Sequence, residues 1–107
     1  TQSKDTERDI AKRLGGRRLR AGEWKGQGDV DVDGGWWVAQ VKHRAFPAFL
    51  REALVQIEEA TVCPIEDPPL GIVAWKDKPG RGGKARTIIA LTIEDWIDWQ
   101  GTGLPNE

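Results

Sequence analysis

Residues 28–44, GDVDVDGGWWVAQVKHR, constrain the fold more than any other stretch of the chain. Asp29 to Val32 alternates acid and valine, the two-residue period of a β-strand. Asp33-Gly34-Gly35 is a turn signal, and Trp36 to Lys42 forms a return strand. Side chains alternate between the faces of a strand, so Asp29 and Asp31 share one face, and Gln40 and Lys42 share one face of its partner. A two-residue Gly34-Gly35 loop pairs Asp33 with Trp36, Asp31 with Val38 and Asp29 with Gln40. The four polar groups then lie on one side. Val30, Val32, Trp37, Ala39 and Val41 lie on the other, toward the core. Two readings of the polar side stay open on the residues alone. One is a solvated hairpin face on which Asp29 or Asp31 pairs with Lys42. The other is a pocket of carboxylate and amide oxygens, the donors a hard cation such as Mg²⁺ prefers, with Lys42 placed to orient a water or offset charge growing on a phosphate.

The rest of the chain surrounds this hairpin with helices and further strands. Ser3 as a cap, Asp5 and Glu7 in the first turns, and Ile10, Ala11 and Leu14 on one face predict a helix over residues 3–14, stopped by Gly15-Gly16. A short strand is expected at 17–20, then a flexible glycine-bearing loop to Gly28. Pro47 opens a second helix, from Ala48 to Thr61, with Phe49, Leu50, Ala53, Leu54, Ile57 and Ala60 as its apolar stripe. Prolines between Cys63 and Pro69 demand a loop. Leu70 to Trp75 reads as a continuous apolar, central strand, and Ala85 to Leu91 as another. Thr92 caps a last helix with Ile93, Trp96 and Ile97 inward. The order α-β-β-β-α-β-β-α predicts an α/β domain with a mixed central sheet flanked by helices. It is expected to be one domain over 1–107, with 100–107 a frayed tail.

At 107 residues the chain is long enough for one core without covalent staples. Its single cysteine, Cys63, allows no internal disulfide and is expected to be buried rather than catalytic. No apolar run approaches membrane-spanning length and no signal-peptide pattern opens the sequence, which predicts a protein that contacts no membrane and works in the cytoplasm. The formal net charge is −1, but the charges are segregated. Lys12, Arg13, Arg17, Arg18, Arg20 and Lys25 crowd one segment, and Lys76, Lys78, Arg81, Lys84 and Arg86 another, whereas Thr87 to Glu107 contains no Lys or Arg. Such clusters suit a phosphate backbone, or are simply solvated surface charges.

The hairpin also carries a likeness. DVDGGWWVAQVKHR resembles the core of the PD-(D/E)XK nuclease superfamily, in which an Asp ends one strand and Glu/Asp-x-Lys lies on the next. Most similar are the small phage and prophage endonucleases that resemble archaeal Holliday-junction resolvases. ERDIAKRLGGRR resembles their first helix, FPAFLREALVQIEEA the helix after the motif, and LTIEDWIDW the closing element, so the likeness runs in order along most of the chain. The resemblance implies a restriction-endonuclease-like core and a Mg²⁺- or Mn²⁺-dependent endodeoxyribonuclease acting on branched DNA in the bacterial host, as a homodimer. It implies that Asp31 takes the metal-binding Asp role, with Asp29 as the alternative because the chain reads GDVDV. Gln40 takes the Glu/Asp role, Lys42 the catalytic Lys role, and Glu7 the helix-one glutamate, with the oxygen of Val41 completing the metal set. The departure is Gln40, whose amide offers a neutral oxygen where the family places a carboxylate. Gln-x-Lys is similar to the pattern in the Mrr-type restriction branch. Gln40 also motivates the alternative, a module of the same fold that binds DNA structure without cutting it.

Phosphate contacts are expected from Arg17, Arg18, Arg20, Lys25 and Arg44, and from Lys76, Lys78, Arg81 and Lys84. Trp24, in a basic glycine-bearing loop, is assigned either to DNA or a second subunit or to a structural role. Trp36, Trp37, Trp75, Trp96 and Trp99 are expected in the core or at its rim. Strand parity turns His43 away from Lys42. Gly26-Gln27-Gly28 lacks the Lys-Ser/Thr of a phosphate-binding loop and is not read as a nucleotide site.

Overall fold

A computed structural model describes residues 2–62 and 66–101, and the side chains from Lys4 onward. The expectations for the Ser3 cap, for Cys63 and for residues 102–107 of the tail lie outside the described residues. The element order is α1 (Gln2–Leu14), β1 (Arg17–Arg18), β2 (Val32–Asp33), β3 (Val38–Ala39), α2 (Ala48–Val62), β4 (Val73–Lys76), β5 (Thr87–Ala90) and α3 (Ile93–Gln100). This is the mixed α/β content and order expected. The pairing differs. All strand pairs are antiparallel and form two sheets, β1-β2-β3 and β4-β5, in place of one mixed sheet. Two compact units result, one built on the chain up to Ala45 and the other on Phe46–Trp99. Among the described residues no helix is long and apolar enough to cross a membrane.

In the first unit, α1 ends where its glycines require. Gly15 adopts φ 74° and the Gly16 N–H returns to the Ala11 carbonyl at 2.8 Å, the closure that a left-handed residue after a helix permits. The chain then turns into β1, and α1 packs on β1 and β2. Ala11, Leu19 and Val32 are buried at this junction, Val32 completely. Trp37 covers them. A Cβ at Gly16 would stand 2.6 Å from Val32 Cγ1 and 2.8 Å from Trp37 Cη2, and one at Gly34 would overlap the Trp37 ring. Glycine at both positions lets the indole lie on backbone.

That packing resets the hairpin. Val32 pairs with Ala39 and Asp33 with Val38, and the Gly34 N–H reaches the Trp37 carbonyl at 2.9 Å. The turn is therefore centred on Gly35-Trp36, not on Gly34-Gly35. Gly35 takes φ 90°, and Asp33 Oδ1 accepts its N–H at 3.0 Å. The register is displaced by two residues from the expected one. A shift of two preserves the faces, so Val30, Val32, Trp37, Ala39 and Val41 remain more buried than Asp29, Gln40 and Lys42.

In the second unit, Pro47 starts α2 as expected, its carbonyl accepting from Leu50 and Arg51 at 3.0 and 3.2 Å. Leu50 is buried, and Phe49 meets Trp75 edge to face at 4.9 Å. Gly71 lies under Ile57. The expected central strand from Leu70 is instead one half of a two-stranded ribbon that starts at Val73, with Leu70 and Ile72 exposed. Thr92 caps α3 through Oγ1 and the Asp95 N–H at 3.2 Å, and Ile93, Trp96 and Ile97 are partly buried.

Replacing Gly34 with Ala should force the Trp37 ring off its seat and cost about 1–3 kcal/mol. Gly80→Ala, where nothing lies within 4 Å of a Cβ, should leave stability within about 0.5 kcal/mol. Thermal unfolding of the two variants beside the parent measures the difference; equal midpoints would reject the indole-on-glycine packing.

Candidate functional site

Asp31 is the most constrained residue of the polar face. Its N–H donates to the Ala39 carbonyl at 2.9 Å, its carbonyl accepts from the Leu19 N–H at 2.9 Å, and its Oδ2 accepts from the Val41 N–H at 2.6 Å. These bonds tie β1, β2 and the segment after β3 at one residue. The paired ladder ends at Val32 and Ala39, and the Asp31 N–H bonds to the Ala39 carbonyl as well, so Asp31 sits beside Ala39 rather than opposite Val38.

A cleft of about 850 Å³ opens on this face of the first unit. Asp29, Asp31, Gln40, Val41 and Lys42 line it, and Glu7 reaches it from α1. The residues proposed from the hairpin and from the first helix thus share one cavity. Arg18, Arg20, Trp24 and Arg44 line it too, as does Lys4. With five Lys and Arg side chains against three carboxylates, the wall is net positive. Arg17 and Lys25 do not line the cleft. Arg17 instead binds Glu23 at 2.6 Å, and Lys25 is exposed. Lys76, Lys78, Arg81 and Lys84 are exposed in the second unit.

Several partnerships in the cleft were not legible in the sequence. Arg18 Nε donates to Glu7 Oε1 at 3.2 Å, with the two side chains 24% and 16% exposed. This pair is sheltered enough to hold both groups in place. His43 lines the same cavity as Lys42, and its Nδ1 shares a hydrogen bond with Thr6 Oγ1 at 2.8 Å. Trp24 is half-buried, with its Nε1 2.7 Å from the position of a Gly26 Cβ, so the indole is seated on glycine backbone at the cleft wall.

The donor chemistry fits a hard divalent cation, since Asp31, Glu7, Gln40 and the Val41 carbonyl all offer oxygen. One oxygen of each carboxylate already accepts from Val41 or Arg18. Among the described residues, no three His, Cys, Asp or Glu side chains are grouped as a metal site. The set is of the right kind and is held by protein donors.

Glu23 closes the loop beside the cleft. Its carboxyl is held below the ordinary value, first by the Arg17 guanidinium and then by the Arg20 N–H, which it accepts at 2.9 Å. A depressed carboxylate pKa stabilises the fold above the unfolded value and loses that effect as pH falls through the folded one. The Arg20 amide resonance should therefore titrate with a midpoint below that of a free glutamate, and Glu23→Gln should abolish the transition. A midpoint in the ordinary range would refute the bridging role.

Comparison with protein-family models, with curated proteins and with solved structures finds no match to this chain.

Proposed function

We propose that the chain is a Mg²⁺- or Mn²⁺-dependent DNA endonuclease that hydrolyses backbone phosphodiesters, with branched DNA such as a Holliday junction as substrate and a restriction-endonuclease-like core as its ancestry. The observation that supports this reading is the gathering of Glu7, Asp31, Gln40 and Lys42 along one net-positive cleft. Asp31, Gln40, Glu7 and the Val41 carbonyl are the residues to hold the cation, with Asp29 beside them. The bound cation would supply a water of lowered pKa and polarise the phosphate. Lys42 places its ammonium against the nucleophile or the charge that develops in the transition state. Arg18, Arg20 and Arg44 grip phosphates, and Trp24 offers a face for a base. Arg18 is bonded to Glu7 in the free chain, so a phosphate that takes Arg18 frees Glu7 for the cation. Paired incisions across a junction call for a two-fold homodimer.

The test is incubation of labelled four-way junction and linear duplex with Mg²⁺, with Mn²⁺ and with chelator, alongside Lys42→Ala and Asp31→Asn. Asp31→Asn keeps an oxygen for the Val41 N–H and so spares the fold. Cutting should require the cation, favour the junction, and fall at least about 100-fold in both variants. Metal-independent cutting, or cutting that survives loss of Lys42, would sink the proposal.

A second reading is favoured by Gln40 and by the engagement of both carboxylates with protein donors. On it, the cleft binds DNA structure and does not cut. Gln40→Glu separates the two. A module with a weakened site should gain cleavage from the restored carboxylate while its DNA affinity, measured by fluorescence anisotropy, stays unchanged. If the parent already cuts and the variant gains nothing, the module reading is lost.

A further inference from the structure

The second unit carries two surfaces of opposite charge at opposite ends of the β4-β5 ribbon. At one end, a groove of about 580 Å³ lies between the last turns of α2, the segment leading into β4 and the start of α3. Glu58, Glu94, Asp95 and Asp98 stand on its walls, Val62, Leu70 and Trp99 supply apolar surface, and among the described residues no Lys or Arg lines it. Trp99 is 63% exposed there, an unusual placement for an indole unless something lies against it. At the other end, the loop between β4 and β5 carries Lys78, Arg81 and Lys84, flanked by Lys76 and Arg86, all exposed. The ribbon pairs Val73 with Ala90 at the groove end and Lys76 with Thr87 at the loop end, and the Asp77 N–H extends it to the Arg86 carbonyl at 2.7 Å. Four paired positions separate the two surfaces by roughly 13 Å of strand. The loop projects away from the groove, so its own groove is not within its reach.

We propose that two copies of this chain associate reciprocally, the cationic β4-β5 loop of each seated in the acidic groove of the other. The charges match in sign, with Lys78, Arg81 and Lys84, and Lys76 and Arg86 beside them, facing Glu58, Glu94, Asp95 and Asp98. The side-chain stems of Arg81 and Lys84 cover Leu70 and the Trp99 ring, where a guanidinium gains attraction from the indole face. Because loop and groove lie at opposite ends of one ribbon, a two-fold axis satisfies both contacts at once and closes the assembly at two. The same acidic groove repels a phosphate backbone, which leaves this face to protein. The association supplies an interface for the homodimer of the proposed function: a monomer that cuts DNA would overturn the association and the paired incision while leaving metal-dependent cleavage standing, and a dimer that does not cut would overturn the nuclease reading alone.

Sedimentation velocity of the full chain, without nucleic acid, tests it. The parent should sediment as a dimer at low salt and dissociate as salt screens the exposed charges. Two charge-reversed chains extend the test: Arg81→Glu with Lys84→Glu in the loop, and Glu58→Lys with Asp98→Lys in the groove. Each should be monomeric alone where the parent is dimeric, and an equimolar mixture should recover the dimer, because each reversed surface then meets its complement. A parent that is monomeric at low salt would overturn the proposal without recourse to any variant. So would a loop variant that remains dimeric while losing affinity for DNA, or a mixture of folded variants that fails to associate.

Discussion

The indole of Trp37 lying on the backbone of Gly16 and Gly34 is the contact on which the first unit depends. It closes over Val32, the one fully buried large side chain among the described residues. The ring cannot rest there unless both glycines lack a Cβ, and its place fixes where the hairpin turns. With the turn at Gly35-Trp36, the Asp31 N–H takes the Ala39 carbonyl and its carboxylate takes the Val41 N–H. A packing event on the apolar side thereby decides which polar groups meet on the other. The helix is part of the same constraint, because Gly16 both completes the α1 terminus and provides half of the indole's seat.

Elements defined by local chemistry were legible in the sequence. The Pro47 start of α2, the Thr92 cap of α3 and the glycine stop of α1 each depend on a few neighbouring atoms, and each is found at the expected residue. Strand partners were less legible, because they depend on atoms far apart in the chain. Alternation in Asp29 to Val32 correctly separated the faces, since a two-residue slip conserves them. It could not count the turn, because the decisive contact joins Trp37 to Gly16 across 21 positions of sequence. Leu70 to Trp75 reads as a central strand because every residue is apolar. Hydropathy does not distinguish a strand covered on both faces from one whose apolar side chains stay exposed, as Leu70 and Ile72 do.

The candidate site was legible to the same depth. Residue types on one face predicted that Asp31, Gln40 and Lys42 would meet, and they line one cavity with Glu7. What alternation could not supply is the competition for their oxygens. Glu7 is engaged by Arg18 and Asp31 by a backbone N–H, partners that lie 11 and 10 residues away. Removing one member of a sheltered ion pair leaves the other charge poorly solvated, so each such group stays with its partner until another of the same sign replaces it. For Arg18 the natural replacement is an anionic oxygen of a ligand, and for Glu7 it is a cation. On the proposed function the two exchanges would be coupled, each supplying the partner that the other displaces. His43 ties the segment after β3 to α1 through Thr6, as Arg18 ties β1 to it through Glu7. The cleft wall is thereby braced at two successive residues of α1.

Net charge conceals how these forces are distributed. A chain of formal charge −1 gives no long-range pull toward DNA or toward itself, since at physiological ionic strength fields decay over about 8 Å. What acts is local: a positive cleft in one unit, and in the other a positive loop and a negative groove held apart by a ribbon. Loop and groove stand at opposite ends of the ribbon within a chain, and on the proposed association each is matched by a second copy. A surface that keeps Trp99 and four carboxylates side by side is poorly suited to water on its apolar part and to phosphate on its charged part. The chemistry that suits both at once is a cationic side chain with a long apolar stem, which is what the β4-β5 loop presents at Arg81 and Lys84.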